Sequence, residues 1–343
     1  MITPNVMEFK ADILEDEILS TFGKEVLERL LRCHSRKYAD RGGKKADDND
    51  YLKYHITWAT DDYAGLGAGF KAEDQIKIGC ITGQYGQLIQ PRAVKSAEVQ
   101  KLRTQQRAEV FTPAWVCNAQ NNLVDNAWFE AHGKSLRDGG WFNEESVTDK
   151  EWKTNELPIF NESDGELWKE YVRDVRLEIT CGEAPYLVSR YDATSGQMIE
   201  PTGHRIGLLD RKLRVVNEHC GVKSDWLQWA EEALKATYGF EFQGDNLLLA
   251  REAVFLTMVR YFHDMFGDMP DRDTCKMWAY IISWNLFQMD GTSFKVPFSE
   301  YEVETQNLFG VQRERVEGID AMIRDWSKKS KTVEKFKKSV TTK

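Results

Sequence analysis

Residues 177–187 read LEITCGEAPYL, and the fold turns on this stretch. Its first part, RLEIT at 176–180, mixes β-branched and apolar residues with charge in the alternating manner of a strand. Cys181-Gly182 then breaks the pattern, with glycine free to take backbone angles closed to other residues. Working outward, RIGLL at 205–209 is a second candidate strand, and between the two lies a short turn followed by a hairpin-like Ser195-Gly196 signal. The chain beyond becomes mainly helical. Residues 224–238 form one predicted helix with Ser224 as N-cap, and 247–266 and 274–289 form two more.

On the amino-terminal side, Ile13, Leu14, Ile18, Leu19, Phe22, Val26, Leu27, Leu30 and Leu31 recur at helical spacing, which predicts one amphipathic helix over 11–37. Residues 41–50 (RGGKKADDND) read as a loop, 54–90 as short strands and turns, and 92–108 as a charged helix. Four tryptophans at 128, 141, 152 and 168, among acids and glycine turns, mark 126–170 as an irregular insertion packed by aromatics. No internal repeat or low-complexity tract interrupts the chain.

The 343 residues are 41% hydrophobic and 29% charged, the composition of a globular protein large enough to bury its own core. The six cysteines lie far apart with no C-x-x-C pair, the pattern of reduced thiols and not of a disulfide framework or zinc cage. The acidic start lacks an apolar signal core, and no stretch is long and apolar enough to span a membrane, so a cytoplasmic location is expected. Net charge is −9, which does not advertise nucleic-acid binding by the whole surface. Residues 324–343 nevertheless concentrate lysines in a tail suited to phosphate or an acidic partner, or to a solvated terminal helix.

Four short segments follow one another in order: Phe111-Thr112-Pro113, then Glu178 to Leu187 with Cys181-Gly182 and Pro185, then Asp210 closing GLLD, then Asp245 in QGDNL. Together they resemble the adenine-specific DNA methyltransferases, the modification subunits of bacterial restriction systems. The resemblance covers residues 107–250. It implies an α/β fold with a Rossmann-like, S-adenosylmethionine-dependent core, and it implies cofactor-binding roles for Phe111, Thr112, Pro113, Glu178, Cys181, Gly182, Asp210 and Asp245. In that pattern Phe111 and Tyr186 would face the cofactor's sulfonium, Asp210 its ribose and Asp245 its adenine amino group. Taken singly, Asp210 also reads as a loop residue, Asp245 as a helix N-cap and Phe111 as a core aromatic.

The resemblance breaks at the chemistry. The family's D/N/S-P-P-Y/F/W tetrapeptide, which accepts the hydrogens of the target amino group and stacks on the flipped base, occurs nowhere in the sequence. Asn285, in SWNLF, is the candidate catalytic amide, and Val296-Pro297-Phe298 is the other partial match. No P-loop and no H-x-x-x-H or H-E-x-x-H set is present, and the acids of GDMPDRD at 267–273 fit a helix start better than a metal site. The sequence therefore predicts an N-terminal α+β region at 1–105, a methyltransferase-like core at 106–300 and a helical segment with a basic tail at 301–343. Two functions stand: a DNA adenine-N6 methyltransferase of a restriction-modification or phage-defence system, or a catalytically inactive methyltransferase-fold subunit that recognises DNA or protein. DNA and a restriction or specificity subunit are the expected partners, with no membrane.

Overall fold

The structure, a computed structural model, describes residue 10 and residues 13–40, 53–95, 112–135, 137, 139–146, 148–307, 310–329 and 333–341. It is a mixed α/β protein whose centre is a parallel sheet of three short strands, β3 (Arg176–Glu178), β4 (Thr237–Glu241) and β5 (Leu286–Gln288), in the order β3-β4-β5. Leu177 stands opposite Tyr238, and Gly239 opposite Leu286. Parallel neighbours require long crossovers. Helices α6 (Leu208–His219) and α7 (Lys223–Lys235) make the first, and α8 (Gly244–Phe266) and α9 (Arg272–Asn285) the second.

The second crossover holds the core. Helix α8 is buried on all sides from Gly244 to Val259, as expected of LLLAREAVFLTMV, a run that leaves no polar stripe. It ends on Gly267 in the left-handed conformation, a standard helix stop. Asp271 caps α9, its carboxylate accepting from the Thr274 amide at 2.8 Å.

The amino-terminal pattern is helical but not one helix. Gly23, at φ +91°, separates α1 (Glu15–Phe22) from α2 (Lys24–Leu30), and α3 (His34–Asp40) follows a further break. Their apolar faces join the central core, with Phe22 edge-on to Phe255 at 4.9 Å. Residues 53–95 hold isolated bridges and 3-10 turns. The expected loop at 41–50 lies outside the described residues, as does the expected helix at 92–108 beyond the 3-10 turn Arg92–Val94.

Two buried contacts bind this region to the sheet. The fully buried Arg251 of α8 donates to main-chain carbonyls alone: Leu286 (2.6 and 2.9 Å), Ser283, Arg32 (3.0 Å) and Leu30. At the end of β5, the Gln288 amide accepts from the Thr57 amide at 2.9 Å and donates to the Thr57 carbonyl at 2.8 Å.

Several expectations change. Residues 205–209 are not a strand: Leu208 and Leu209 open α6, whose buried Leu209, Leu213 and Val216 recur at helical spacing. Ser224 lies inside α7, with Val222 at the cap. The Trp-rich stretch is more regular than expected. Trp128 belongs to α4 (Ala114–Ala131), a hairpin follows in β1 (Asn143–Ser146) and β2 (Glu151–Thr154), and α5 (Leu167–Arg173) carries Trp168. Among the described residues the carboxyl-terminal segment is mostly strand, not helix: β6 (Tyr301–Asn307) pairs with β7 (Gly310–Val316), β8 (Met322–Arg324) with β9 (Val333–Lys335), and only α10 (Phe336–Thr341) is helical. Phe336 packs with Phe240, Phe287 and Met289, covering the β4–β5 part of one sheet face.

Helix α4 is fixed to the sheet by a buried ionic cluster. Asp125 accepts from Arg211 (2.5 Å), Tyr171 (2.8 Å) and, more distantly, Arg176 (3.5 Å), while Arg211 also reaches Asn118 at 2.9 Å. Both Asp125 and Arg211 are essentially inaccessible to water. Removing one partner of such a pair leaves an uncompensated buried charge, so Asp125→Ala should lower stability by about 3–5 kcal/mol, read as a fall in the urea midpoint. A loss under 1 kcal/mol would mean the cluster is solvated.

Candidate functional site

The carboxyl ends of β3 and β4 are shaped by the turn after β3. Thr180 (φ +47°), Gly182 (φ +53°) and Ala184 (φ +62°) all take left-handed backbone, folding the chain back within five residues. The turn is anchored where Cys181 donates to the Phe240 carbonyl at 2.9 Å and Ala184 to the Cys181 carbonyl at 2.7 Å. Gly239 makes room for it, since a Cβ there would sit 3.2 Å from the Cys181 sulfur. The Gly182 amide points to Glu241 Oε2 at 2.9 Å, and the Gln243 amide to Glu241 Oε1 at 3.2 Å.

Around this turn lies a cavity of about 720 Å³. Thr112, Asn121 and Val124 line it from the α4 side, Leu177 to Gly182 from β3 and its turn, and Tyr186, Glu241, Gln243 and Asn246 from the rest. Asn121 fixes the wall, donating to the carbonyls of Tyr186 (3.0 Å) and Ile206 (2.9 Å). The volume and the mixture of apolar walls with a few directed polar groups suit a small-molecule ligand.

Two carboxyls dominate its electrostatics. Burial pushes Glu178 well above the usual carboxylate range, the amides of Tyr186 and Leu187 oppose that shift, and Glu241 adds to it. Among the described residues, Glu178 Oε2 is closed off from solvent and has no hydrogen-bond partner. Burial also raises Glu241, against the pull of the Gly182 and Gln243 amides. The Tyr186 hydroxyl, raised by burial, is tied to Thr112 and Cys117.

The candidate residues thus divide. Thr112, Glu178, Cys181 and Gly182 line one cavity, as does Tyr186. Pro113 starts α4 and faces a neighbouring groove beside Trp115 and Trp152. Phe111 lies outside the described residues. Asp210 is fully buried in the first turn of α6, accepting from the Ser189 amide at 2.8 Å, and Leu208 in its place reaches the cavity. Asp245 is fully buried in the first turn of α8, accepting from the Tyr63 hydroxyl at 2.8 Å, with Gln243 and Asn246 on the cavity wall.

Asn285 sits at the amino end of β5, the opposite end of the sheet from the cavity. Its amide nitrogen donates to the carbonyls of Leu234, Lys235 and Thr237, and its oxygen accepts from Trp326 at 2.7 Å. It closes the carboxyl end of α7, and the oxygen that would accept from a target amino group is fully buried and already held by Trp326.

Gly239 and Glu241 were missed because the predicted helix 224–238 takes in Thr237-Tyr238 and leaves 239–241 unassigned, and in QGDNL the role was given to Asp245 and not to Gln243. The signal of the strand TYGFE is an aromatic and β-branched run with glycine, ended by an acid just before Gln243-Gly244. Among the described residues no three His, Cys, Asp or Glu side chains gather as a metal site, and no helix is long and apolar enough to cross a membrane. The six cysteines are free thiols. No family model, curated protein or solved structure matches the chain.

The raised carboxyl of Glu178 has a pH signature. In the unfolded chain it ionises near pH 4.3 or so, whereas the folded site keeps its proton to higher pH. Folding therefore binds a proton in the window above the unfolded value, and this group lowers stability as pH rises through it. Glu178→Gln should accordingly be more stable than wild type at neutral pH, with the difference vanishing below about pH 4. Urea melts of both proteins across that range test it; a constant difference would assign the effect to packing.

Proposed function

We propose that this chain is a methyltransferase-like protein that binds S-adenosylmethionine and belongs to a DNA restriction-modification or phage-defence system acting on adenine amino groups. The observation that carries the reading is convergence. Thr112, distant in sequence, meets Glu178, Cys181 and Gly182 at the carboxyl end of β3, beside the end of its parallel neighbour β4. That is where α/β folds bind nucleotide-like ligands. Glu241, at the end of β4, takes the place that sequence order had given to Asp210.

The residues present fit the cofactor. Glu241 offers two carboxylate oxygens to vicinal ribose hydroxyls, a pairing that rejects ligands lacking them. Glu178 Oε2, buried without a partner, is an acceptor for a buried donor. The glycine turn lets main chain approach, and the Tyr186 ring suits a cation. When bound, S-adenosylmethionine supplies an electrophilic methyl group. The DNA partner finds weaker support: in the basic tail Lys328 already pairs with Asp325 (2.9 Å) and Glu334 (3.0 Å), and Lys335 with Asp320 (2.5 Å).

A second reading, cofactor binding without transfer by this chain alone, is favoured by Asn285, whose amide is fully occupied in capping α7. Calorimetry with S-adenosylhomocysteine should give saturable binding, weakened by about 1–3 kcal/mol in Glu241→Ala. Folded wild-type protein giving no heat would reject the cofactor site. Labelled-methyl incorporation into mixed-sequence DNA then separates the two readings; the expected result for the isolated chain is none.

A further inference from the structure

Three carboxyls share the candidate cavity: Glu178 at the end of β3, Glu183 in the turn and Glu241 at the end of β4. They are not equivalent. Glu183 accepts from the Arg92 amide at 2.7 Å and the Tyr191 hydroxyl at 2.8 Å, and Glu241 from the Gly182 and Gln243 amides at 2.9 and 3.2 Å. In both, each oxygen has a donor. Glu178 differs. The amides of Tyr186 and Leu187 face its carboxyl, but among the described residues its Oε2 is closed to water and meets no donor.

The titratable groups around Glu178 are acids. Glu241 of β4 strengthens its hold on a proton. The Cys117 thiol of α4, the Cys181 thiol and the Tyr186 hydroxyl stand close enough to feel its charge in turn. An ionised oxygen without a donor, among groups that are neutral or negative, is strongly disfavoured in a protein interior. In the empty cavity Glu178 therefore keeps its proton beyond the pH at which a free carboxyl loses it.

Positive charge entering the cavity reverses that preference. A metal ion is the wrong occupant, because the space is about 720 Å³ and among the described residues no three ligating side chains gather. The remaining walls include Val124, Leu177, Ile179, Leu208 and Tyr186. Apolar and aromatic walls suit the methyl and methylene groups around an organic ammonium or sulfonium centre.

We infer that the cavity exchanges a proton for an organic cation: a ligand carrying an ammonium or sulfonium charge settles beside Glu178 as that carboxyl releases its proton to water, and an uncharged ligand enters with the proton in place. One positive charge replaces another, and no bond within the ligand changes. Below the pH at which Glu178 ionises in the empty protein, affinity for the cation rises about tenfold per pH unit, and above it the affinity levels off. An uncharged ligand shows no such rise. The inference deepens the cofactor reading and rests on it only for the identity of the cation. S-adenosylmethionine and S-adenosylhomocysteine differ by a methyl group and one positive charge, so Glu178 is the residue that tells them apart.

The test first follows Glu178 itself. Full-length protein, isotope-labelled at its glutamate carboxyl carbons, is titrated by NMR, with Glu178 assigned as the signal missing from Glu178→Gln. The titration is run in sodium chloride, in trimethylsulfonium chloride at equal concentration, and in sodium chloride with dimethyl sulfoxide. Trimethylsulfonium should lower the Glu178 midpoint by about one pH unit or more, and dimethyl sulfoxide should leave it in place. Calorimetry about one pH unit below the sodium chloride midpoint, in two buffers of different ionisation heat, then counts protons: S-adenosylmethionine should release about one per site and S-adenosylhomocysteine about none. Glu178→Gln should abolish the release. A midpoint that trimethylsulfonium does not move overturns the inference, as does equal proton release with the two nucleosides or release that survives in Glu178→Gln. If trimethylsulfonium moves the midpoint and neither nucleoside binds, the exchange stands and the cofactor reading fails.

Discussion

The structure depends on Arg251. A guanidinium without a carboxylate beside it is an unusual thing to bury, and burial holds its pKa down to about 10. What stabilises it is geometry: its donors meet the carbonyls of Leu286 and Ser283 at the start of β5, and those of Leu30 and Arg32 at the end of α2. Two of these carbonyls, those of Leu30 and Ser283, lie in the last turns of α2 and α9, where helix carbonyls have no intrahelical donor. One side chain thereby fixes the central helix, the last strand of the sheet and the amino-terminal helices relative to one another. With α8 held, its first turn places Gln243 and Asn246 on the cavity wall.

The opposite wall is held differently. Helix α4 reaches the cavity through Thr112, Asn121 and Val124, and it is kept there by Asp125 on Arg211 and by the amide of Asn121 on two carbonyls. Neither arrangement contributes much net energy by comparison with apolar packing of the same volume. Their effect is positional. A site whose ligand groups come from α4, the β3 turn and β4 needs each element fixed in rotation as well as distance, and directional bonds do this where apolar contact does not.

How far the sequence was readable follows from the same distinction. The helix at 247–266 was plain because apolar run and length agree with its burial, and RLEIT at 176–180 because β-branched and charged residues alternate, although only 176–178 form strand. RIGLL deceived because two leucines opening a helix look like a strand when only five residues are weighed. TYGFE was hidden by the helix before it, and the lysine-rich carboxyl terminus read as helix although its strands bond to one another. Asp210 and Asp245 were assigned as ligand acids from the order of segments in the family the sequence resembles. Ser189 and Tyr63 donate to them instead, and no local pattern reveals a hydroxyl donor arriving from 21 or 182 residues away. Glu178, Cys181 and Gly182 were found because strand, turn and glycine are contiguous.

The contact between Gln288 and Thr57 is a splice between two parts of the chain made without a backbone ladder. A primary amide presents one acceptor and two donors at the spacing of a peptide unit, so Gln288 imitates a strand residue for Thr57 on one side and Phe242 on the other. In a ladder, alignment is spread over many interchangeable bonds, and any single residue is dispensable. Here it is written into one side chain, which makes the joint easy to acquire and easy to lose.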